Sequence, residues 1–197
     1  MSEKEYTAKR DFAHTNEPPA GARFKRSNQP IFVIQKHDAS NFHYDFRLEI
    51  DGTLKSWAVP KGPSLDPSEK RLAVPTEDHP VDYAFFEGTI PEEEYGGGTV
   101  MIWDRGSIES IKKEEGQTLS LSESYQRGTV EVWLKGEKLQ GGFALIKVKG
   151  GQLKGKWLLT KMDDDRADAR RKPLSTQKES VVSGRSLNEI EKEEDGS

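Results

Sequence analysis

Nine residues, Phe42–Ile50 (FHYDFRLEI), alternate without a break between apolar and polar side chains, and no other stretch constrains the fold as much. Successive side chains of a strand point to opposite faces. Phe42, Tyr44, Phe46, Leu48 and Ile50 therefore share one face, and His43, Asp45, Arg47 and Glu49 the other. The apolar face belongs in a core. The polar face lines up an imidazole, a carboxylate and a guanidinium, each about 7 Å from the next. The plain alternative is the solvated face of an amphipathic strand, where charged residues alternate by default.

Further β-rich runs flank this one: Ile31–His37, Thr53–Val59, Thr99–Asp104, Thr129–Leu134, Phe143–Lys149 and Lys156–Lys161. Asp51-Gly52 is a strong hairpin signal, and glycine pairs mark further turns. One short helix is expected over Thr118–Gln126. The pattern predicts an all-β, antiparallel fold, closed into a small barrel or sandwich to hide its edges. Trp103, Trp133 and Trp157 alternate with apolar neighbours and read as core. Residues 1–30 read as an irregular N-terminal arm, 31–167 as the β domain, and 168–197 as a flexible charged tail.

Composition narrows the chemistry. The chain carries 30 Lys and Arg against 34 Asp and Glu, so an anion site must come from local clustering and not from bulk charge. It has no cysteine, which removes thiolate-bound metals and thiol nucleophiles. No apolar run approaches the roughly 20 residues of a membrane span, and Met1–Arg10 is too polar for a secretory signal. A cytoplasmic protein without membrane contact is expected, and a monomer.

The run before Phe42 places Gln35 and His37 on a common face, and the link Asp38–Asn41 suits an antiparallel return. His37 would then lie opposite His43 and Asp45. Two imidazoles and a carboxylate with open positions suit Mn²⁺, Fe²⁺ or Zn²⁺. A second constellation is Lys61 in Pro60-Lys61-Gly62-Pro63, with Arg71 and the segment Glu77-Asp78-His79-Pro80. Lys61, Arg71 and Arg47 would serve a phosphate if they converge, although each alone reads as a surface cation. His79 fits a proton donor or phosphate ligand, or simply a loop histidine. Glu92–Gly98 lacks phosphate-loop spacing and reads as a turn.

Several ordered motifs together resemble one family: Arg10-Asp11-Phe12, Phe32–His37, His43–Leu48, Trp57–Pro63, Glu77–Pro80, Tyr83 and Phe86–Pro91. From about residue 10 to 166 the chain resembles the 3'-phosphoesterase domain of bacterial DNA ligase D and its free-standing relatives. The resemblance implies a compact β-barrel with a curved active-site groove. It also implies Mn²⁺-dependent removal of a terminal ribonucleoside and then of the 3'-phosphate at the 3' end of a DNA primer–template. It assigns the metal to His37, His43 and Asp45, and the phosphate to Arg47 and His79. Lys61, Arg71, Tyr83, Gln35 and Glu77 match supporting positions. Arg10, Asp11 and Glu17 match an arm that acts on the terminal ribonucleoside. With no Lys-x-Asp-Gly adenylation motif, the chain is expected to work as a stand-alone enzyme, with a DNA ligase acting in trans. Two other readings compete: a non-enzymatic single-strand-binding barrel with stacking tryptophans, and a metallophosphatase for small molecules.

Overall fold

The computed structural model describes residues 3–19 and 29–195. In chain order its elements are α1 (Glu3–Ala8), β1 (Ile31–Asp38), β2 (His43–Ile50), β3 (Thr53–Val59), β4 (Lys70–Pro75), β5 (His79–Pro80), a 3₁₀ turn (Val81–Phe85) and β6 (Gly88–Ile90). They continue with β7 (Gly98–Ser110), β8 (Lys113–Glu114), β9 (Gln117–Thr118), α2 (Leu121–Arg127), β10 (Thr129–Gly136), β11 (Gln140–Lys147), β12 (Trp157–Lys161), α3 (Pro173–Thr176) and α4 (Leu187–Asp195).

Eight strands close on themselves in the order β1-β2-β3-β4-β12-β11-β10-β7 and back to β1. The pairings are antiparallel, and the closed, all-β barrel expected from the sequence is what forms. Closure removes the edges that a sheet of this size would otherwise expose. Asp51 and Gly52 both take positive φ, 54° and 74°, which gives the β2–β3 hairpin its tight turn and fixes the register Tyr44↔Val59 through Ile50↔Thr53. The helix begins later than expected: Ser120 caps α2, and Glu123 completes a capping box.

Two apolar clusters lie on the two faces of the barrel wall. Inside are Phe32, Ile34, Tyr44, Phe46, Leu48 and Ile50 with Trp57, Trp103 and Trp157. Trp133, expected in the core, is only half-buried. Outside, Val33, Leu54, Val100 and Ile102 are covered by Tyr6 from α1 and by Tyr83, Ala84, Phe86 and Ile90 from the 79–90 segment. The polar face of β2 points to this outer side and is not solvated. Asp45 and Arg47 are 4% and 3% exposed, because the arm and the 3₁₀ turn roof them over.

Both chain ends differ from the expectation. The arm read as irregular contains α1, and its Tyr6 is fully buried; residues 1–2 and 20–28 of that arm lie outside the described residues. The segment read as a flexible tail docks on the barrel through 195, with residues 196–197 outside the described part. Ile190 is fully buried, Leu174 and Leu187 pack on the inner core, Val181 N–H donates to Ile102 O, and Trp103 Nε1 donates to Gln177 O at 2.7 Å. A few apolar residues spaced through a charged sequence suffice to seat it.

Candidate active site

β1 and β2 build the centre of the site. Their register sets His37 opposite His43, Gln35 opposite Asp45 and Val33 opposite Arg47, all on the outer face. The ligand atoms of His37, His43 and Asp45 lie within 4.8 Å of one another. Asp45 Oδ2 is 3.6 Å from both His37 Nδ1 and His43 Nε2, too long for hydrogen bonds, and spaced as donors that share an ion are. His43 Nδ1 donates to Asn41 O at 2.7 Å, which leaves Nε2 with the free lone pair. His37 Nε2 is buried without a hydrogen-bond partner. Two imidazoles, one with its tautomer fixed from behind, and one carboxylate together fit a divalent cation with open positions.

The electrostatics agree. Burial works against ionisation of Asp45, but Arg47 and the two imidazoles outweigh it and hold the carboxyl well below the usual range. Burial also opposes charge on His43, yet Asp45 lifts its pKa above the ordinary value.

Arg47 is fixed on three sides. Its Nε donates to Gln35 Oε1 at 2.8 Å, Nη1 to His79 Nδ1 at 3.0 Å, and Nη2 pairs with Asp45 Oδ2 at 3.0 Å. Gln35 Nε2 in turn donates to Tyr83 O and Phe86 O, so one amide ties the guanidinium to the 3₁₀ turn. Two of the five guanidinium N–H groups remain for an anion. His79 is pushed well below its ordinary pKa, first by burial and then by Arg47. Burial pushes the phenol of Tyr83 up, and its ring lies under the Arg47 guanidinium at 5.0 Å.

The arm adds a second ionic layer. Arg10 Nε pairs with Glu17 at 2.8 Å and Nη1 with Glu77 at 2.8 Å, with Glu17 and Glu77 both buried. Arg10 also stacks on the Tyr6 ring at 3.8 Å, and that ring faces His79 at 5.2 Å. Tyr6 is the participant that the sequence reading passed over. A lone tyrosine in a polar segment was its signal.

Thus His37, His43, Asp45, Arg47, Gln35, His79 and Tyr83 converge, with Arg10, Glu17 and Glu77 behind them. Asp11 does not join them: it is exposed and pairs with His14 at 3.0 Å. Lys61 is exposed in the loop after β3, and Arg71 pairs with Glu69 at 2.6 Å. The β3–β4 register carries Arg71 toward the end of the barrel where Lys61 lies.

A closed antiparallel barrel thus carries a buried imidazole–carboxylate–guanidinium cluster on its outer wall. The chain belongs to the DNA ligase D 3'-phosphoesterase domain family, whose sequence model matches residues 35–147. It is 47% identical over 93% of its length to the multifunctional non-homologous end joining protein LigD of Pseudomonas aeruginosa. The corresponding proteins of Mycolicibacterium smegmatis and Mycobacterium tuberculosis are 44% and 41% identical over 82% of the chain. The chain spans about a fifth of the length of these curated relatives. Among the described residues, no helix is long and apolar enough to cross a membrane.

Proposed function

We propose that the protein is a Mn²⁺-dependent 3'-end-healing phosphoesterase of DNA repair, which removes a 3'-terminal ribonucleoside and then the 3'-phosphate to leave a 3'-OH. The observation that carries this reading is the placement of His37, His43 and Asp45 directly beside Arg47 in a member of this family. The 3'-OH product is the end that a DNA ligase acting in trans needs, and the relatives' names tie the family to end joining.

His37, His43 and Asp45 would hold the cation, with His43 presenting Nε2. When bound, the cation supplies Lewis-acid polarisation of the phosphoryl group. Arg47 offers its two remaining N–H groups to the phosphoryl oxygens and keeps its charge at every working pH. Its three fixed contacts pre-pay the cost of ordering it. His79 Nδ1 lies 3.0 Å from both Arg47 Nη1, which only donates, and Glu77 O, which only accepts, so one tautomer of the ring serves each partner. A depressed pKa keeps His79 neutral, and in the tautomer that accepts from Arg47 its Nε2–H is the donor for a phosphoryl or leaving oxygen. Tyr6 and Tyr83 wall off water beneath.

The test is a 5'-labelled primer–template with one 3'-terminal ribonucleotide, incubated with Mn²⁺ or with chelator. Shortening to a 3'-phosphate and then a 3'-OH, only with metal, is expected. A primer left intact under both conditions would reject the reading.

A further inference from the structure

The segment that roofs the site is pinned by a carboxylate outside the metal and phosphate groups. Glu87 follows Phe86, whose carbonyl takes one of the two Gln35 amide donations. Its side chain is 7% exposed. Oε2 accepts the Ile102 N–H at 2.9 Å, while Oε1 accepts from Arg185 Nη2 at 3.3 Å and from the Ser183 hydroxyl. One donor comes from β7 and two from the C-terminal segment, so a single carboxylate joins both to the 79–90 segment.

Ile102 is where the barrel wall needs such a group. On the edge of β7 away from β1, β6 pairs with residues 98–100 and β10 with residues 106–110. Ile102 falls between them. Glu87 takes its N–H and Val181 N–H donates to its carbonyl, so both backbone groups are satisfied without a strand. On the other edge Ile102 stands opposite Gln35, just past a shift in the β1–β7 register between Ile34 and Gln35. Such a shift re-aims the side chain beside it. That side chain is Gln35, whose Oε1 holds Arg47 Nε and whose Nε2 reaches Phe86 O, one residue before Glu87.

We propose that Glu87 is a positioning residue for Arg47. Held by Ile102, Ser183 and Arg185, it fixes Phe86 O at the height of Gln35, and Gln35 passes that position to the guanidinium. Residues 181–185 thereby serve the reaction from outside the cluster. This rests on the reading of the site as a 3'-end phosphoesterase, in which Arg47 takes the phosphoryl oxygens. A carboxylate that only sealed the β7 edge would protect the fold and leave Arg47 indifferent.

Two measurements on the full chain test this, one of them independent of turnover. By nuclear magnetic resonance without Mn²⁺, the Arg47 Nε–H, identified by its loss in Arg47→Lys, should exchange slowly with solvent in the parent. Glu87→Ala should speed that exchange and shift the resonance. Glu87→Gln, which keeps an acceptor for the Ile102 N–H, should restore both. The second measurement is 3'-phosphate removal by the Mn²⁺-loaded protein, below the melting range of every variant. Glu87→Ala should lower kcat about 10- to 100-fold, as a misplacement of about 1 Å does, with Mn²⁺ affinity by calorimetry unchanged. That loss should disappear when Gln35→Leu is already present, because the two substitutions break the same chain of contacts. Arg185→Ala should act in the same direction with the same dependence on Gln35, and it carries the test should Glu87→Ala fail to fold. Additive losses in the double variants would overturn the proposal, as would unaltered Arg47 Nε–H exchange in Glu87→Ala. A parent that leaves the 3'-phosphate in place rejects the enzymatic reading alone, and the exchange measurement still decides the positioning role.

Discussion

Arg47 Nη1 lies 3.0 Å from His79 Nδ1, so a permanent cation rests against a buried imidazole. The pair explains why His79 stays neutral: burial opposes its charge, and Arg47 repels a second positive group.

That neutrality has a pH signature in the metal-free protein. The folded pKa of His79 lies below the unfolded value near 6.5, so the unfolded chain takes up the proton first as pH falls. Stability is then lost from about pH 6.5 downward through the folded pKa. His43 has the opposite sign: its raised pKa adds stability at low pH that is lost as pH rises through it. That contribution is common to the parent and to His79→Gln. Thermal melts with chelator should therefore show a smaller loss of Tm between about pH 7 and pH 5 in His79→Gln than in the parent. Parallel curves would mean His79 titrates normally.

Asp45→Asn is expected to act twice. It removes the charged ligand between two imidazoles, so Mn²⁺ binding should be lost by calorimetry. It also leaves Arg47 buried beside a neutral amide, which costs about 3–5 kcal/mol in denaturant unfolding when one partner of a buried pair goes. Unchanged Mn²⁺ affinity in both Asp45→Asn and His43→Ala would rule the site out.

Gln35 is the residue on which the site hangs together. Gln35→Leu would orphan Arg47 Nε and Phe86 O at once, each a loss of about 1–3 kcal/mol if left buried and unpaired, while Tyr83 O keeps the N–H of Phe86. Gln35→Glu keeps the acceptor for Arg47 but drops both donations to the 3₁₀ turn. Activity should fall less in Gln35→Glu than in Gln35→Leu. Equal loss would assign Gln35 to the turn and not to Arg47.

The docked C-terminal segment gives a stability test. Ile190 is fully buried against the barrel, so Ile190→Ala should cost about 2–5 kcal/mol in chemical denaturation. Truncation before Leu174 should cost more, because the Trp103–Gln177 and Val181–Ile102 hydrogen bonds go as well. A truncated chain as stable as the parent would show that the docking contributes nothing.

The barrel wall was legible because period-two patterning reports a strand directly, and Phe42–Ile50 carries it over nine residues. The same pattern cannot say what covers the polar face. Tyr6, Tyr83 and Phe86 cover it, and they come from segments with no periodicity of their own. The short strands β4, β5 and β6 escaped for a related reason: they are two to six residues long, and β4 and β5 both end on proline. Docking of residues 174–190 depends on a handful of apolar side chains that composition averages away. The ordered motifs, more than the spacing, pointed to Glu17 and Glu77, since a buried carboxylate is recognisable only beside its partner Arg10.

The arm separates two carboxylates that the sequence sets six residues apart. Glu17 is buried, bonded to Arg10 and to Thr15 Oγ1, and linked through Arg10 to Glu77 and the backbone around His79. Asp11 is exposed and bonded to His14 and to the Ala13 N–H. Glu17→Ala should therefore loosen the arm and lower stability, by about 3–5 kcal/mol if Arg10 is left without compensation, while Asp11→Ala should leave Tm close to the parent. Their effects on turnover follow from where the substrates differ. The 3'-ribonucleoside substrate carries a sugar and base beyond the phosphorus; the 3'-phosphate substrate carries nothing there. If the arm holds that extra nucleoside, Asp11→Ala impairs only the first reaction, and Glu17→Ala impairs the first more than the second. Arg47→Ala should cost both about 10²–10³ in rate, since both place charge on the transferring phosphoryl group. Parallel time courses on a 3'-ribonucleotide primer and a 3'-phosphate primer, run beside melting curves of the same preparations, measure all three. Equal loss on both substrates in Glu17→Ala, tracking its Tm, would make the arm a structural roof over Arg47 and His79, with the nucleoside held elsewhere.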